Sequence, residues 1–230
     1  MSLLIKKAVQ ERELVCRDGL SLERVQHGDL TIEISRGCYR PEQTEYVAGI
    51  YYGHKDYHFE TSYSEVLEQM LEEDRILAPV TTIYSLVDDR NTCVGSIRTI
   101  MKLPDCELPL EREFGIQLSP WTHRHQPIDR IYEIARFAVT VNTTKGIMML
   151  FRELFKDALI NDFAVASLDS RVLRGLRKMG FHWFDLQEPK YYLGSLTCPV
   201  ALKAGEHIGG IFADIVKDMH NKNTLTRKAE

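Results

Sequence analysis

Residues 133–154 read EIARFAVTVNTTKGIMMLFREL, with a carboxylate and a guanidinium three positions apart on an otherwise apolar stretch. A carboxylate in such a setting can take a proton from an attacking nucleophile, directly or through a water. A guanidinium beside it can pair with that carboxylate, hold a substrate carboxylate, or steady a developing oxyanion. Glu133 is thus the candidate base, and Arg136 its candidate partner. Arg98, which closes the GSIR stretch at 95–98, offers the same work or braces Glu133. A structural ion pair across adjacent strands is the alternative reading of all three. Alternation along a strand would send Glu133 and Arg136 to opposite faces unless a bulge intervenes.

These side chains need elements to hold them. Residues 131–141 pattern as a strand and 146–160 as a helix. The first amides of a helix have no partner within it and, with the helix dipole, form an anion site. Thr143, Thr144 and Lys145 add hydroxyls and a cation there, and Gly146 permits close approach to the backbone. An ordinary N-cap is the competing explanation.

Elsewhere the chain alternates. A strand is expected at 30–39, then helical structure from Pro41 through SYSEVLEQMLEEDRIL (62–77), ended by Pro79. VTTIYSLVDD and TCVGSIRTIMKL read as a hairpin turning at Asp89, Arg90 and Asn91. Residues 103–129 read as a long functional loop. A strand at 163–169, a helix at 170–181, strands near 182–187 and 197–203 and a helix at 207–220 follow, with 221–230 as a tail. No linker, repeat or low-complexity segment interrupts this order, so residues 1–220 read as one mixed α/β domain.

Composition bounds the function. The 230 residues are 44% hydrophobic, enough for a substantial core, and the net charge of -4 leaves no basic tract for nucleic acid. Five scattered cysteines without a CxxC suit reduced thiols in a cytoplasm. No signal peptide or membrane-length apolar run is visible, so cytoplasmic localisation without membrane insertion is expected. His54 and His58 have helical ligand spacing and His123 and His125 strand or loop spacing. Neither pair has a nearby cysteine or the zinc-protease glutamate, and no metal is expected. There is no GxSxG, and direct attack by the acceptor is the simpler mechanism.

Three pieces in order, GSIR (95–98), YEIARFAV (132–139) and VLRGLRKMGF (172–181), resemble the GNAT superfamily of N-acyltransferases. G-x-x-R followed by E-x-x-R-F is similar to the branch of acyl-homoserine-lactone synthases and N-acyl amino acid synthases, over roughly residues 30–205. The resemblance implies an α/β (α+β) fold with a splayed central sheet flanked by helices. It also implies transfer of an acyl group from a thioester, on acyl carrier protein or coenzyme A, to an amine or amino acid. Arg98, Glu133 and Arg136 become the counterparts of that branch's characteristic residues. Val139, Thr143, Thr144, Lys145, Gly146 and Ile147 become the donor-binding positions. Phe137, Val139 and residues 148–151 sit where a fatty chain could pass, or simply pack.

The departures matter too. The usual GNAT phosphate loop, R/Q-x-x-G-x-G/A, keeps one glycine here and has Met148 at the second small position, while Leu176 occupies the place of a tyrosine that protonates the leaving thiolate. Both losses occur in the lactone-synthase branch, whose donors ride on acyl carrier protein. Such a carrier is acidic, and Arg171, Arg174, Arg177 and Lys178, with Lys145 and Arg152, could receive it; a solvated helix face is the alternative. Residues 36–65 are rich in tyrosine and lack the tryptophan that helps that branch bind S-adenosylmethionine, so an amino acid or another amine is as plausible an acceptor. An acetyl-CoA-dependent acetyltransferase and a non-catalytic acyl-binding module on the same fold are the alternatives.

Overall fold

The structure is a computed structural model that describes residues 12–17, 20–140 and 143–226. In chain order it runs β1 (Arg12–Arg17), β2 (Leu20–His27), β3 (Leu30–Arg36), α1 (Pro41–Gly53), α2 (Tyr63–Leu77), β4 (Thr81–Val87) and β5 (Cys93–Met101). Then come α3 (Pro109–Phe114), α4 (Ser119–Arg124), β6 (Ile131–Val139), α5 (Thr143–Lys156), β7 (Phe163–Asp169) and α6 (Ser170–Met179). The chain ends with β8 (Phe184–Asp185), β9 (Lys190–Tyr192), β10 (Ser195–Lys203), α7 (Ala204–His207) and α8 (Ala213–Thr226). The fold is mixed α/β, with mostly antiparallel strands and a parallel β6–β7 pair.

Two compact units divide the chain. One takes residues up to Tyr52, Thr61–Arg98 and Arg136–Phe151; the other takes Gly53–Glu60, Thr99–Ala135 and Arg152–Glu230. In the first, β1 to β5 follow one another in sequence order. Cross-strand charges tie β2 to β3 on both faces: Arg36 bonds Glu23 at 3.1 Å on one, and Arg24 pairs with the buried Glu33 on the other. Leu22 and Val25 are both buried although an odd spacing puts them on opposite faces, so β2 shows no period-two pattern. α2 begins with a capping box, Ser62 N–H donating to Glu65 Oε2 at 2.8 Å while Ser62 Oγ accepts from Glu65 N–H.

In the second unit the order is β6-β7-β10-β8, with β9 on β10. β7 pairs with β10 along its whole length, but with β6 only from Ile131↔Phe163 to Ile134↔Ala166. Among the described residues the β6–β7 register ends at Ile134. α6 is capped by Asp169, which accepts from Arg171 N–H at 2.8 Å, and ends at Gly180 in the left-handed region. A Cβ on Gly180 would sit 2.3 Å from the Gly209 carbonyl oxygen, which explains the glycine of KMGF.

Three expectations are revised. The 103–129 segment holds α3 and α4 rather than an unbroken loop. α5 starts at Thr143, so Thr143 to Gly146 form its first turn instead of preceding it. α8 runs on to Thr226, six residues into the stretch read as a tail.

Candidate active site

Within the first unit, α2 presents two acids to two arginines. Arg98 Nη2 donates to Glu73 at 2.8 Å and Arg98 Nη1 pairs with Asp74. Arg136 Nη2 reaches Glu73 at 3.0 Å and Asp74 at 3.2 Å. Thr44, on α1, donates its hydroxyl to Asp74 Oδ2 at 2.6 Å. The Arg98 side chain is 4% exposed and those of Arg136 and Asp74 about a tenth. Burial works against the Asp74 carboxylate, but Arg136, Arg98 and the Thr44 hydroxyl outweigh it and hold its pKa below the usual value. The cluster has two charges of each sign, which is what makes its burial tolerable.

The strand carries an irregularity that fits this arrangement. Val94 accepts from Thr140 N–H at 2.9 Å, and Lys102 N–H donates to Ile131 at 2.9 Å. Between those bonds β6 advances nine residues (131 to 140) and β5 eight (94 to 102), so β6 has one residue extra. Arg136 is the residue in the left-handed region, with φ of 54°. A bulge there breaks the alternation that would otherwise set Glu133 and Arg136 on opposite faces. Gly95, which opens GSIR, faces Leu86 and Leu150; a Cβ there would come within 3.2 Å of Leu86 Cβ, so the glycine lets α5 pack close to β5.

Glu133 belongs to the second unit. It is 2% exposed, and its Oε2 accepts the Leu110 N–H in the first turn of α3 at 2.9 Å. The structure therefore brings Arg98 and Arg136 together on α2, and gives Glu133 a partner on α3.

The positions expected to bind the donor lie around the start of α5. Thr144 and Lys145 are exposed, Gly146 is buried, and Lys145 Nζ meets Asp29 at 2.9 Å on the surface. The side chain of Thr143 lies outside the described residues. Ile147, Met148, Phe137 and Val139 are half-buried. Leu150 and Phe151 have no exposed surface and are core, with the Phe137 ring 5.5 Å from that of Phe151. Two α1 tyrosines reach the same part of β6: Tyr51 donates to the Phe137 carbonyl at 3.2 Å, and the Tyr46 hydroxyl lies 3.3 Å from Thr140 Oγ1.

Of the six candidate carrier-binding cations, four are engaged. Arg171 pairs with Asp56 and Asp169, Arg177 with Asp185, Arg152 with Asp214 and Lys145 with Asp29. Arg174 and Lys178 are exposed on α6 with no ion pair among the described residues. Leu176 is buried at 2% exposure. Burial pushes the Cys93 thiol up to about 11, so it is a poor nucleophile at neutral pH. His123 bonds the Ser119 carbonyl and His125 stacks on Phe184; no group of metal-ligating side chains occurs among the described residues.

Three solved structures share this architecture. FeeM, an N-acyl amino acid synthase from uncultured soil microbes, matches with a TM-score of 0.55 at 17% identity, over 77% of this chain and 92% of its own. The acyl-homoserine-lactone synthase LasI matches at 0.53 and 12% identity over 76% and 90%. TofI, in a ternary complex with an inhibitor and MTA, matches at 0.51 and 13% over 80% and 95%. The chain has a GNAT fold of the acyl-homoserine-lactone-synthase type. No family model and no curated sequence matches it.

Glu73, Asp74 and Thr44 were not singled out from the sequence. The signal was present in α2: Val66, Met70 and Leu77 are its buried stripe, and Glu73 and Asp74 occupy the stripe positions between Met70 and Leu77. Acids on a buried stripe need cations opposite. No helix among the described residues is long and apolar enough to cross a membrane.

Proposed function

We propose that the protein is an N-acyltransferase that moves an acyl group from a thioester donor, acyl carrier protein or coenzyme A, to an amine. The observation that carries this reading is a buried carboxylate, Glu133, three residues before a left-handed bulge at Arg136, on the strand whose ladder to β7 ends at Ile134. In the reaction the amine nitrogen bonds to the thioester carbonyl carbon and the C–S bond breaks. The amine proton passes through Glu133 to the departing thiolate, leaving an amide and a free thiol. With Leu176 in place of a phenol, Glu133 returns the proton it took.

The backbone of β6 past Ile134, where the register to β7 ends among the described residues, can pair with the amide-rich arm of the donor. Its phosphate would meet the first-turn amides at Thr143, Thr144 and Lys145, with Gly146, Val139 and Ile147 alongside. Within the first unit, Glu73 and Asp74 fix Arg98 and Arg136, the latter at the bulge itself.

An acyl carrier protein is the preferred donor, since Met148 replaces a small residue of the pyrophosphate loop and Arg174 and Lys178 are exposed on α6 without an ion pair among the described residues. The double variant Arg174→Glu, Lys178→Glu should lose carrier-dependent activity and keep activity on a small pantetheine thioester. Equal loss with both donors would mark the helix face as structural. The wild-type carrier reaction should also weaken steeply with salt, because exposed charges are screened over about 10 Å at 0.1 M.

A fatty acyl group fits the half-buried apolar surface of Phe137, Val139 and Met148. At about 0.8 kcal/mol per buried methylene, kcat/KM should rise from a two-carbon to an eight-carbon donor. A flat or falling series would favour an acetyl-CoA-dependent acetyltransferase. One observation supports a non-catalytic module instead: Glu133 is nearly inaccessible and already accepts the Leu110 N–H, as a helix cap would.

A further inference from the structure

The second unit contains a solvent-open cavity of about 650 Å3, formed by the end of β5, the start of β6 and the segment of α3 and α4. That volume is within the range that holds small-molecule ligands. Ile116, Leu118 and Ile131 give it apolar walls, while its charged lining is one cation, Lys102, against Asp105, Glu107 and Glu111. Lys102 is committed: its Nζ donates to the Cys106 carbonyl at 2.8 Å and pairs with Glu111, which also accepts the Leu108 N–H at 3.0 Å. Asp105 and Glu107 are exposed, and their carboxylates have no ion-pair or hydrogen-bond partner among the described residues. An apolar floor under two uncompensated carboxylates selects a ligand that is part hydrocarbon and part cation.

Position adds a direction. Ile131 lines the cavity two residues before Glu133, in the regular part of β6, so both side chains leave the same face of the strand, about 7 Å apart along it. The two are also linked through α3, whose Leu110 N–H holds Glu133 and whose Glu111 lines the cavity.

We propose that this cavity seats an amine bearing a second positive charge, its reacting nitrogen toward Glu133 and its charged end between Asp105 and Glu107. That this amine is the acyl acceptor rests on the acyltransferase reading. A diamine such as 1,5-diaminopentane, with a hydrocarbon middle and a cation at each end, is a suitable probe. Pentylamine, without the second charge, is its control.

Cys106 is a half-buried thiol in the cavity lining, so its alkylation by iodoacetamide, mapped on the whole chain without donor, reports occupancy. 1,5-Diaminopentane should slow that alkylation saturably, with Cys38 unaffected. Pentylamine should need roughly three- to tenfold higher concentration for the same protection, the range expected of two exposed carboxylates. The variant Asp105→Asn, Glu107→Gln should erase the difference. Equal protection by the two amines, a preference that survives the double variant, or no protection would overturn the proposal. A donor arm separates the two readings. Selective protection without thioester consumption would leave the cavity assignment standing and count against acyl transfer. Amide formation on singly charged amines, with no protection by the diamine, would do the reverse.

Discussion

Glu133→Gln lowers the turnover of amide formation by roughly 10²- to 10⁴-fold, the usual contribution of a positioned general base, while donor binding and the melting temperature hold. The amide keeps the carboxylate's shape and an oxygen to accept the Leu110 N–H, so the first turn of α3 stays satisfied. It cannot take a proton from the amine. Glu133→Ala is the contrasting variant: it leaves a buried N–H unpaired, at about 1–3 kcal/mol, and loses stability as well as turnover. Unchanged turnover in Glu133→Gln, with a destabilised Glu133→Ala, would show that the carboxylate only caps α3.

Asp74→Asn is expected to be the most damaging single change to stability in the first unit. It takes one of the two carboxylates that Arg98 and Arg136 share out of the cluster. Removing one partner from a buried ionic cluster costs about 3 kcal/mol or more, which for a chain of this length lowers the melting temperature by roughly 6–12 °C. Adding Arg98→Met to that variant should recover part of the loss, because it removes one uncompensated cation. Acid titration gives a second check. Asp74's pKa in the folded chain lies below its usual value, so its contribution is fully present above the unfolded carboxylate's pKa, about 3.9. The contribution is lost as pH falls through the lowered folded value. The wild type should therefore lose stability more steeply in acid than Asp74→Asn, and parallel acid limbs would contradict the assignment.

What the sequence made legible follows from which signals are local. α2 was readable because apolar residues recur at helical spacing, β7 because it is a short continuous apolar run, and the hairpin of β4 and β5 because its turn residues are local. The irregularity at Arg136 could only be conditional in sequence, since a bulge is set by pairing with β5. β1 and β2 went unread: Glu23 and Arg24 look like a solvated charge run until Arg36 and Glu33 stand opposite them. α3 and α4, six residues each, are too short to show a period, although Pro109 and Pro120 near their starts were usable marks. The Glu–x–x–Arg spacing singled out Glu133 and Arg136, yet the partners of Arg136 come from an acid pair 62 and 63 residues away. Such pairing is invisible to spacing and visible only to burial.

Acyl transfer itself is tested most directly by one assay: purified protein, octanoyl thioester on acyl carrier protein, and a mixed pool of amines, with free thiol and amide measured in the same reaction. The account predicts thiol release that depends on the amines, matched one for one by a new N-octanoyl amide, and abolished in Glu133→Gln. Thiol release without amide would make the protein a thioesterase, and no release with any amine would make it a binding module; either result contradicts an N-acyltransferase.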